Sequence, residues 1–499
     1  MGTLKIRTLA RSRVACGVGA GLVLALAAEG LSHAQQFQAT QQFSRTQQTF
    51  GARDPGPRAG SVDAGQPLPG LTDGQKALFA AGLEAFGEIG SVQGKIPGTD
   101  IGLGPRYNSV SCGSCHAQPA VGGTSPNAKA YPFIGPNPQI AAATLERATN
   151  RIPFFITADG PVREARFKNV VSNGALTSTP DGGVHALFTI TGRSDAINVV
   201  GATGSRQTCR LAQPDFDLQR RLDNIEFRIP TPAFGAGLIE TISEPTILAN
   251  MATHSADKRA LGISGRPNRN GNDGTITKFG WKAQNISLMM FAGEAYNVEQ
   301  GTTNELFPVE RPSPGETLPP ECLFNGMPED ATNTDDPNES PHGDLVRFAS
   351  FMRFLAPPTP STTAPGGAAS IARGASLFRD TVKCALCHTP SLPVGWSSYA
   401  RSIGPGQANL YSDLLLHDMG ATLADGVSQG AATGSEFRTA PLWGLGQRVF
   451  FLHDGRTSDL EAAIAAHGDR ASEARGTVNL YNNLSETDKQ HLLNFLRSL

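Results

Sequence analysis

Apolar residues along this chain recur mostly at helical spacing, in short stretches separated by polar loops. The first stretch follows a capping-box pattern at residues 72–75, and its apolar positions are Leu78, Phe79, Leu83 and Phe86. Further stretches of the same kind occur at residues 283–300, 344–355, 371–378, 458–467 and 485–499. The pattern predicts a mainly α fold that is rich in loops.

Residues 153–250 have a different pattern. The apolar run Val184–Ile190 follows the turn sequence Pro180-Asp181-Gly182-Gly183 and predicts a strand, as part of a hairpin. We therefore expect a small β insertion in the otherwise helical chain. The apolar, glycine-rich stretch Pro230–Ile242 is more typical of a wall around a buried group than of a surface.

Composition narrows the class of protein. Charged residues make up 17% and hydrophobic residues 39% of the 499 residues, which fits neither a disordered chain nor an integral membrane protein. The 56 glycines and 35 prolines agree with long loops. The net charge of −2, with no basic run after the N-terminus, gives no reason to expect a nucleic-acid partner.

The N-terminus has the three parts of a secretory signal peptide. A basic segment is followed by an apolar run over residues 14–28 and by the small-x-small site Ser32-His33-Ala34. The apolar run is short for a retained anchor, and no other run is long enough to span a bilayer. We expect residues 1–34 to be removed, the mature protein to be periplasmic, and residues 35–70 to form a flexible arm.

Two short sequences carry the candidate chemistry. Cys112–His116 and Cys384–His388 each read Cys-x-x-Cys-His, the attachment pattern of a c-type haem. Cys112 and Cys115, like Cys384 and Cys387, can form thioethers to the two vinyl groups of one porphyrin, and the adjacent histidine then binds the iron. One copy alone also suits a redox dithiol or half of a zinc site. Two copies in an exported chain favour two covalently bound haem c groups, with His116 and His388 as iron ligands.

The two motifs also suggest a division of the chain. The proline- and glycine-rich residues 357–367 are the best candidate linker. They separate an N-terminal haem module over residues 71–356, enlarged by the β insertion, from a C-terminal cytochrome c domain over residues 368–499. Cys209 and Cys322 remain outside the motifs, and an oxidising compartment favours a disulfide between them over two separate thiols.

The second axial ligand decides what each haem can do. A haem with two strong protein ligands transfers electrons, whereas a haem with an open face binds peroxide or oxygen. In the C-terminal domain, His467 lies on the apolar face of its predicted helix and is the candidate sixth ligand, with His417 and Met419 as competitors. For His453 we expect a hydrogen bond, either locally or to a haem propionate.

The N-terminal module has no obvious sixth ligand. His185 lies in a predicted strand, and His254 and His342 lie in polar surroundings. We therefore expect the first haem to be open or weakly ligated.

Several stretches in combination resemble the di-haem c-type oxidoreductases, a family described as peroxidases or thiol oxidoreductases. These stretches are Gly102–Tyr107, Cys112–Gly123, Pro230–Ile242, Phe279–Gln284, Gly293–Gln300 and Phe437–Gly468. More distantly, the chain is similar to bacterial di-haem cytochrome c peroxidases and to the di-haem enzyme that matures a tryptophan-derived quinone cofactor.

The resemblance to the bacterial peroxidases implies roles for three residues. His467 stands where those enzymes have the methionine ligand of their electron-transfer haem. Trp281 corresponds to the tryptophan between their haems and is the candidate electron conduit, with a packed core indole as the alternative. Glu299 lies near their distal-pocket acid, with Glu294 as the alternative. Two features differ, because Phe291 replaces their distal glutamine and their distal histidine has no counterpart.

Two functions of different classes follow from these expectations. The first is a peroxidase-like enzyme in which the first haem reacts with hydrogen peroxide or oxygen and the second passes on electrons from a soluble protein. The second is a non-catalytic di-haem electron-transfer protein; an oxygenase acting on an apolar substrate is a narrower alternative. Asp273 and neighbouring oxygens form a candidate calcium site, although a plain polar loop is the better explanation.

Overall fold

The structure is a computed structural model, and it describes residues 51–58, 63–126, 136–200, 206–314, 316–323, 325–332 and 342–499. The predicted signal peptide and much of the predicted arm lie outside these ranges.

Helices dominate the described residues, as the periodicity predicts. They are α1 (Asp73–Gly87), α2 (Cys112–Cys115), α3 (Pro138–Ala142), α4 (Phe216–Arg221), α5 (Ala236–Glu240), α6 (Glu244–Ala252), α7 (Ser255–Leu261), α8 (Leu288–Ala295), α9 (Asp344–Phe354), α10 (Ala368–Ser376), α11 (Leu460–Ala466), α12 (Arg475–Asn482) and α13 (Glu486–Ser498). Short 3-10 turns cover Leu145–Arg147, Ser194–Ala196, Pro320–Cys322, Cys384–Leu386 and Leu445–Gln447, and π-helical turns cover Tyr296–Gln300 and Leu377–Thr381.

The strands are short and form several small antiparallel sheets. They are β1 (Arg106–Tyr107), β2 (Glu164–Phe167), β3 (Asn169–Ser172), β4 (Ala175–Pro180), β5 (Val184–His185), β6 (Phe188–Thr189), β7 (Val199–Val200), β8 (Arg206–Gln207), β9 (Ile225–Arg228), β10 (Leu392–Val394), β11 (Gly406–Ala408), β12 (Leu416–Asp418) and β13 (Glu436–Arg438). Strand β2 is the centre of a three-stranded sheet in the order β5-β2-β9, and the other pairs are β1-β6, β3-β4, β7-β8, β10-β11 and β12-β13.

Helices α1 and α9 form the centre of the largest core. Thr72 starts α1 through a complete capping box with Gln75, as the sequence predicts. Phe86 of α1 packs on Phe351 of α9 with ring centroids 5.0 Å apart. Gly82 lets the helices approach closely, because a Cβ at this position would lie 2.4 Å from the Arg347 carbonyl oxygen.

The predicted helix over residues 283–300 is shorter in the structure. It begins at Leu288, where the Ser287 side chain accepts a hydrogen bond from the Met290 N–H, and its last turn is π-helical. Ala283 has a positive φ of 50°, a conformation that an α-helix does not contain. The apolar residues before Ser287 therefore recur at helical spacing although they lie in turns and not in a helix.

The predicted strand Val184–Ile190 is divided between two sheets. Its first part, β5, pairs with β2, and its second part, β6, pairs with β1. The hairpin of this region is instead β3-β4, which the sequence did not indicate.

The described part of the predicted arm is packed on the rest of the chain. Asp54 accepts two hydrogen bonds from the Arg497 guanidinium, at 2.6 and 2.5 Å, and Leu68 N–H donates to the Phe354 carbonyl. Arg497 is fully buried, so Asp54 balances a charge that has left water. The expectation of a flexible arm is wrong for these residues.

Residues 52–499 form one compact unit. The core around α1 and α9 includes Leu392, Ile403, Leu414 and Trp443, which lie beyond the predicted linker. The division into two haem modules remains a prediction. The largest core contains residues from both sides of the predicted boundary. Over the described part of the chain, no helix combines the length and apolar character needed to cross a membrane.

A disulfide joins Cys209 to Cys322, as the cysteine count favours. Both residues are buried with Phe155, Phe167 and Leu187 in a core of their own. The bridge closes a chain segment with a sequence separation of 113 residues.

We predict that the double substitution C209A/C322A lowers the free energy of unfolding by about 3–5 kcal/mol, because a cross-link over a long loop restricts the unfolded chain. Urea unfolding of the oxidised protein and the variant measures the difference. Wild-type protein unfolded in reductant is the control and should approach the variant. Equal stability of oxidised wild type and variant would contradict the prediction.

Candidate functional site

The first Cys-x-x-Cys-His motif lies at a cavity formed by the N-terminal part of the chain. Cys112, Cys115 and His116 line this cavity together with Phe86 of α1 and Phe348 of α9. We call it cavity 1. The wall on another side includes Ile229, Pro230, Thr231 and Ala233, in agreement with the interpretation of this stretch as a wall around a buried group.

The side chains of cavity 1 fit a c-type haem. Helix α2 brings both thiols to one cavity, and burial and the mutual repulsion of the thiolates raise the pKa of Cys112, so the thiols are neutral. His116 Nδ1 lies 3.0 Å from the Gly123 carbonyl oxygen, and burial lowers the pKa of the imidazole to about 4. A neutral histidine that donates from Nδ1 has an unprotonated Nε2, which can bind a metal. The Thr231 backbone also lies within hydrogen-bonding reach of the His116 imidazole.

The second motif lines a separate cavity, here called cavity 2. Cys384, Cys387 and His388 line it with the apolar residues Phe378, Leu442, Leu460 and Leu496. His388 Nδ1 lies 3.0 Å from the Tyr411 carbonyl oxygen, and burial lowers the pKa of His388 to about 4. The donor set is therefore the same as in cavity 1.

His467 also lines cavity 2. It ends α11, its Nδ1 lies 2.7 Å from the Ala463 carbonyl oxygen, and burial lowers its pKa. Like His388, it keeps Nε2 free. Cavity 2 thus has two neutral imidazoles, one from the motif and one at the end of α11. In each of them Nδ1 is engaged by a backbone carbonyl.

The two competing ligands differ in their geometry. His417 has both ring nitrogens engaged, with Nε2 3.0 Å from Asp413 and Nδ1 2.7 Å from Glu473. Burial lowers the pKa of His417, but Cys387 and Asp413 outweigh it and hold this pKa well above its usual value, so the imidazole is protonated and in this form is a poor metal ligand. Met419 lines cavity 2 and remains an alternative to His467 as the second iron ligand.

Cavity 2 also contains cationic groups without acidic partners. Arg438 and Arg448 line it, and burial lowers the pKa of each to about 10, with mutual repulsion adding to the effect at Arg438. Neither forms an ion pair with a described carboxylate, and the Arg438 Nε and His453 Nε2 atoms are buried without hydrogen-bond partners among the described residues. Such groups fit an anion at the cavity, as haem propionates are.

Trp281 lines both cavities. Its indole N–H donates to the Ile229 carbonyl at 2.9 Å, which fixes the ring, and the His453 ring lies edge-on to it with centroids 6.4 Å apart. The residue proposed from sequence as a conduit therefore stands in the wall between the two sites.

Glu299 and Glu294 both line cavity 1. Glu299 Oε2 accepts a hydrogen bond from the Asn108 Nδ2 at 2.7 Å, and Glu294 is bonded to the Asn285 amide. Burial and the nearby Glu164 raise the pKa of Glu299 to about 8. A carboxyl group that titrates near neutral pH is suited to proton transfer, which makes Glu299 a candidate for this role.

The remaining histidines of the N-terminal part lie away from this site. His185 Nε2 is 3.0 Å from Asp181 and its ring stacks on Phe167, while His254 caps α7 from an exposed position. Among the described residues that line cavity 1, the only histidine is His116 and the only methionine is Met352.

A family model with the description "di-haem oxidoreductase, putative peroxidase" matches residues 177–499, more than half of the chain. The chain belongs to this di-haem oxidoreductase family. The matched part contains the second motif, Trp281, Glu299 and His467, whereas the first motif precedes it.

Solved structures offer more distant similarities. Hydrazine synthase of Kuenenia stuttgartiensis is 16% identical, with 54% of this chain and 88% of that chain covered and a TM-score of 0.26. A MauG-like protein associated with microbial copper homeostasis is 16% identical over 52% and 89% of the two chains, with a TM-score of 0.27. The di-haem peroxidase BthA of Burkholderia thailandensis is 16% identical over 64% and 94%, with a TM-score of 0.26. TM-scores of this size do not establish a shared fold. No curated protein sequence matches the chain.

Asp273, the candidate calcium ligand, lies in an exposed turn of this family member. Its Oδ1 accepts a hydrogen bond from the Thr275 N–H. In the described ranges, no cluster of three ligating side chains includes Asp273. The polar loop is thus sufficient to explain the residue.

Charged residues of the oxidoreductase's first site that sequence reasoning missed include Glu164, Arg166 and Arg228. They come from β2 and β9 of the central sheet. The alternation of charged and apolar residues in Glu164-Ala165-Arg166-Phe167 is the signal that indicates a strand with one polar face.

A buried ionic network supports the wall between the cavities. Asp425 accepts two hydrogen bonds from Arg228, at 3.0 and 2.6 Å, and its other oxygen lies 3.1 Å from Lys282 Nζ. All three side chains are at most 2% exposed. Arg228 lines cavity 1, and the Lys282 ammonium lies 4.0 Å from the centre of the Phe437 ring, which lines cavity 2.

We predict that D425N lowers the free energy of unfolding at pH 7 by about 3–5 kcal/mol, because it leaves two buried cations without their anion. Burial raises the pKa of Asp425, but Arg228 and Lys282 outweigh it and hold this pKa below its usual value. The contribution is therefore complete above the pKa of an unfolded aspartate and is lost as the pH falls through the folded-state value. Urea unfolding at neutral and acidic pH measures it.

The matched control is D73N, which removes an exposed ion pair with Lys76 and should leave stability at the wild-type value. If D425N unfolds at the same urea concentration as D73N, Asp425 does not stabilise the buried cations Arg228 and Lys282.

Proposed function

We propose that this family member is a periplasmic, peroxidase-like di-haem c-type oxidoreductase, in which cavity 1 is the reactive site and cavity 2 the electron-transfer site. The observation that supports this division is the difference between the cavities. Cavity 2 has free imidazole nitrogens on both His388 and His467, whereas cavity 1 combines one histidine with the buried acid Glu299. The signal-peptide pattern supports the periplasmic location.

The two motifs would hold the cofactors in the same way. Cys112 and Cys115 would form the thioethers in cavity 1, where His116 would bind the iron. Cys384 and Cys387 would form them in cavity 2, where His388 and His467 would bind the iron. When bound, a c-type haem supplies a redox-active iron that can exchange electrons or bind a small oxidant. Arg438, Arg448 and His453 are suited to hold propionates at cavity 2.

The protein's own residues provide protons and orientation at cavity 1. Asn108 fixes the Glu299 carboxyl group by donating to Oε2 at 2.7 Å. Glu299 would exchange protons with the oxygens of a peroxide bound in the cavity, a general acid–base role. Trp281, which lines both cavities, would carry electrons between the sites. A soluble protein would supply or accept these electrons.

A second candidate function is a non-catalytic electron-transfer protein. Met352 favours it, because this buried methionine lines cavity 1 and a thioether is a haem ligand in cytochromes. Ligation by Met352 would close the reactive face.

We predict that E299Q slows the reaction of the oxidised holoprotein with hydrogen peroxide by about a hundredfold or more, because the amide neither accepts nor donates the proton. Stopped-flow absorbance of the haem bands measures the rate. E294Q is the matched variant in the same cavity, and its loss should be much smaller. If E299Q reacts as fast as wild type, Glu299 is not the acid of this site.

We predict that W281F slows electron transfer between the two sites by about tenfold or more, a barrier increase of about 1.4 kcal/mol. Phenylalanine fills part of the space but has no indole N–H for the Ile229 carbonyl. Mixing half-reduced holoprotein with peroxide and following oxidation of the second haem measures this rate. W443F, a buried tryptophan of the main core, is the control and should have the wild-type rate. Equal rates in W281F and wild type would leave Trp281 as a packing residue.

A further inference from the structure

The central sheet brings a second carboxylate to cavity 1. Glu164 and Arg166 lie two positions apart on β2 and therefore on one face of the sheet, and Arg228 is the direct partner of Glu164 on β9. All three residues line cavity 1. Glu164 also lies outside the residues that the family model matches.

Glu164 and Glu299 both line cavity 1 and are close enough to interact. In this pair the Glu299 carboxyl group is the hydrogen-bond donor and the Glu164 carboxylate the acceptor. Arg166 Nε donates to Glu164 Oε1 at 2.6 Å, and Asn108 donates to Glu299 from the other side at 2.7 Å. Two carboxyl groups at hydrogen-bond distance hold one proton between them, because two adjacent negative charges repel each other.

The surrounding charges determine which group keeps the proton. Burial raises the pKa of Glu164, but Arg166 and Arg228 outweigh it and hold this pKa below its usual value. Burial and the Glu164 charge raise the pKa of Glu299 to about 8, although Asn108 and Arg166 oppose the rise. The other charged groups that face the pair are Arg311 and Glu294. At neutral pH, Glu164 is ionised and Glu299 is protonated.

We propose that Glu164 and Glu299 act as a base–acid pair in cavity 1, with Glu164 accepting a proton from a bound peroxide while Glu299 donates one. This assignment rests on the peroxidase-like function proposed above. Glu164 would remove one proton and Glu299 would deliver the other, and both side chains line the same cavity.

Glu164 takes the proton from one oxygen of hydrogen peroxide, Glu299 gives its proton to the other oxygen, and that oxygen leaves as water when the O–O bond breaks. Peroxide is the oxidant, and the c-type haems supply the two electrons. The proton on Glu164 then returns to Glu299 through their hydrogen bond, which restores the pair. The oxygen that remains takes up these two electrons and two protons from solvent and becomes the second water molecule, so one hydrogen peroxide gives two water molecules.

Infrared spectroscopy of the holoprotein tests the pair without relying on activity. We expect the carbonyl band of a protonated carboxyl group to disappear as the pH rises through about 8. The band should be absent from E299Q, which separates it from Glu310, a carboxyl group whose burial raises its pKa to a similar value. In E164Q the band should disappear at a pH lower by about one unit or more, because the neighbouring charge is gone.

The same variants are then tested with hydrogen peroxide. E164Q should react about a hundredfold more slowly than wild type at pH 7, because it has no base. E164D keeps a carboxylate and should recover part of the rate. The matched control is E226Q on β9, whose carboxylate pairs with Lys168 and does not line cavity 1 among the described residues; it should have the wild-type rate and titration.

The two proposals fail in different ways. If the Glu299 band titrates at the same pH in E164Q and wild type, the two groups share no proton and the pair is overturned, whatever the rates are. A wild-type rate in E164Q overturns the assignment of Glu164 as the base. If the wild-type holoprotein does not react with peroxide, the proposed function is wrong and the acid and base roles fail with it, although a shifted band would still show the shared proton.

Discussion

The hydrogen bond between a histidine Nδ1 and a backbone carbonyl is the interaction on which both sites depend. His116, His388 and His467 all form it, at 3.0, 3.0 and 2.7 Å. It fixes the tautomer, because the nitrogen that donates to the carbonyl keeps its proton and the other is left as an acceptor. Burial lowers the pKa of each of these imidazoles, so they stay neutral and able to bind a metal. His417 shows the contrast, since two carboxylates engage both of its nitrogens.

The two cavities use this interaction for different purposes. Cavity 2 has it twice, within an apolar lining with arginines for an anion, which suits a site that only exchanges electrons. Cavity 1 has it once, and its lining includes acidic and basic side chains from the central sheet and from the end of α8. The wall between them contains Trp281, and the buried Asp425 holds this wall in place through Arg228 and Lys282.

The sequence was sufficient for features that depend on local spacing. The Cys-x-x-Cys-His motifs, the capped helices α1 and α13, and His467 at the end of an apolar helix face are all readable from short stretches. Periodicity failed where tertiary contacts decide the conformation, as at Ala283, where turns replace a helix, and at Val184–Ile190, where one apolar run serves two sheets.

Long-range pairs were beyond prediction from the sequence for the same reason. Asp54 is bound to Arg497, and Glu164 to Glu299, although each pair is far apart along the chain. Neither partner carries a local pattern that identifies the other. Only the tertiary fold, which places β2 and the π-helical turn after α8 in the lining of cavity 1, brings the two glutamates to one site.

The central claim is that the two haem sites differ in their axial ligation, and electron paramagnetic resonance of the oxidised holoprotein tests it most directly. The account predicts a high-spin ferric signal from cavity 1 beside a low-spin signal from His388 and His467 in cavity 2. Hydrogen peroxide should consume the high-spin signal. Two low-spin signals that peroxide leaves unchanged, both before and after partial reduction, would contradict the account and identify the protein as an electron carrier.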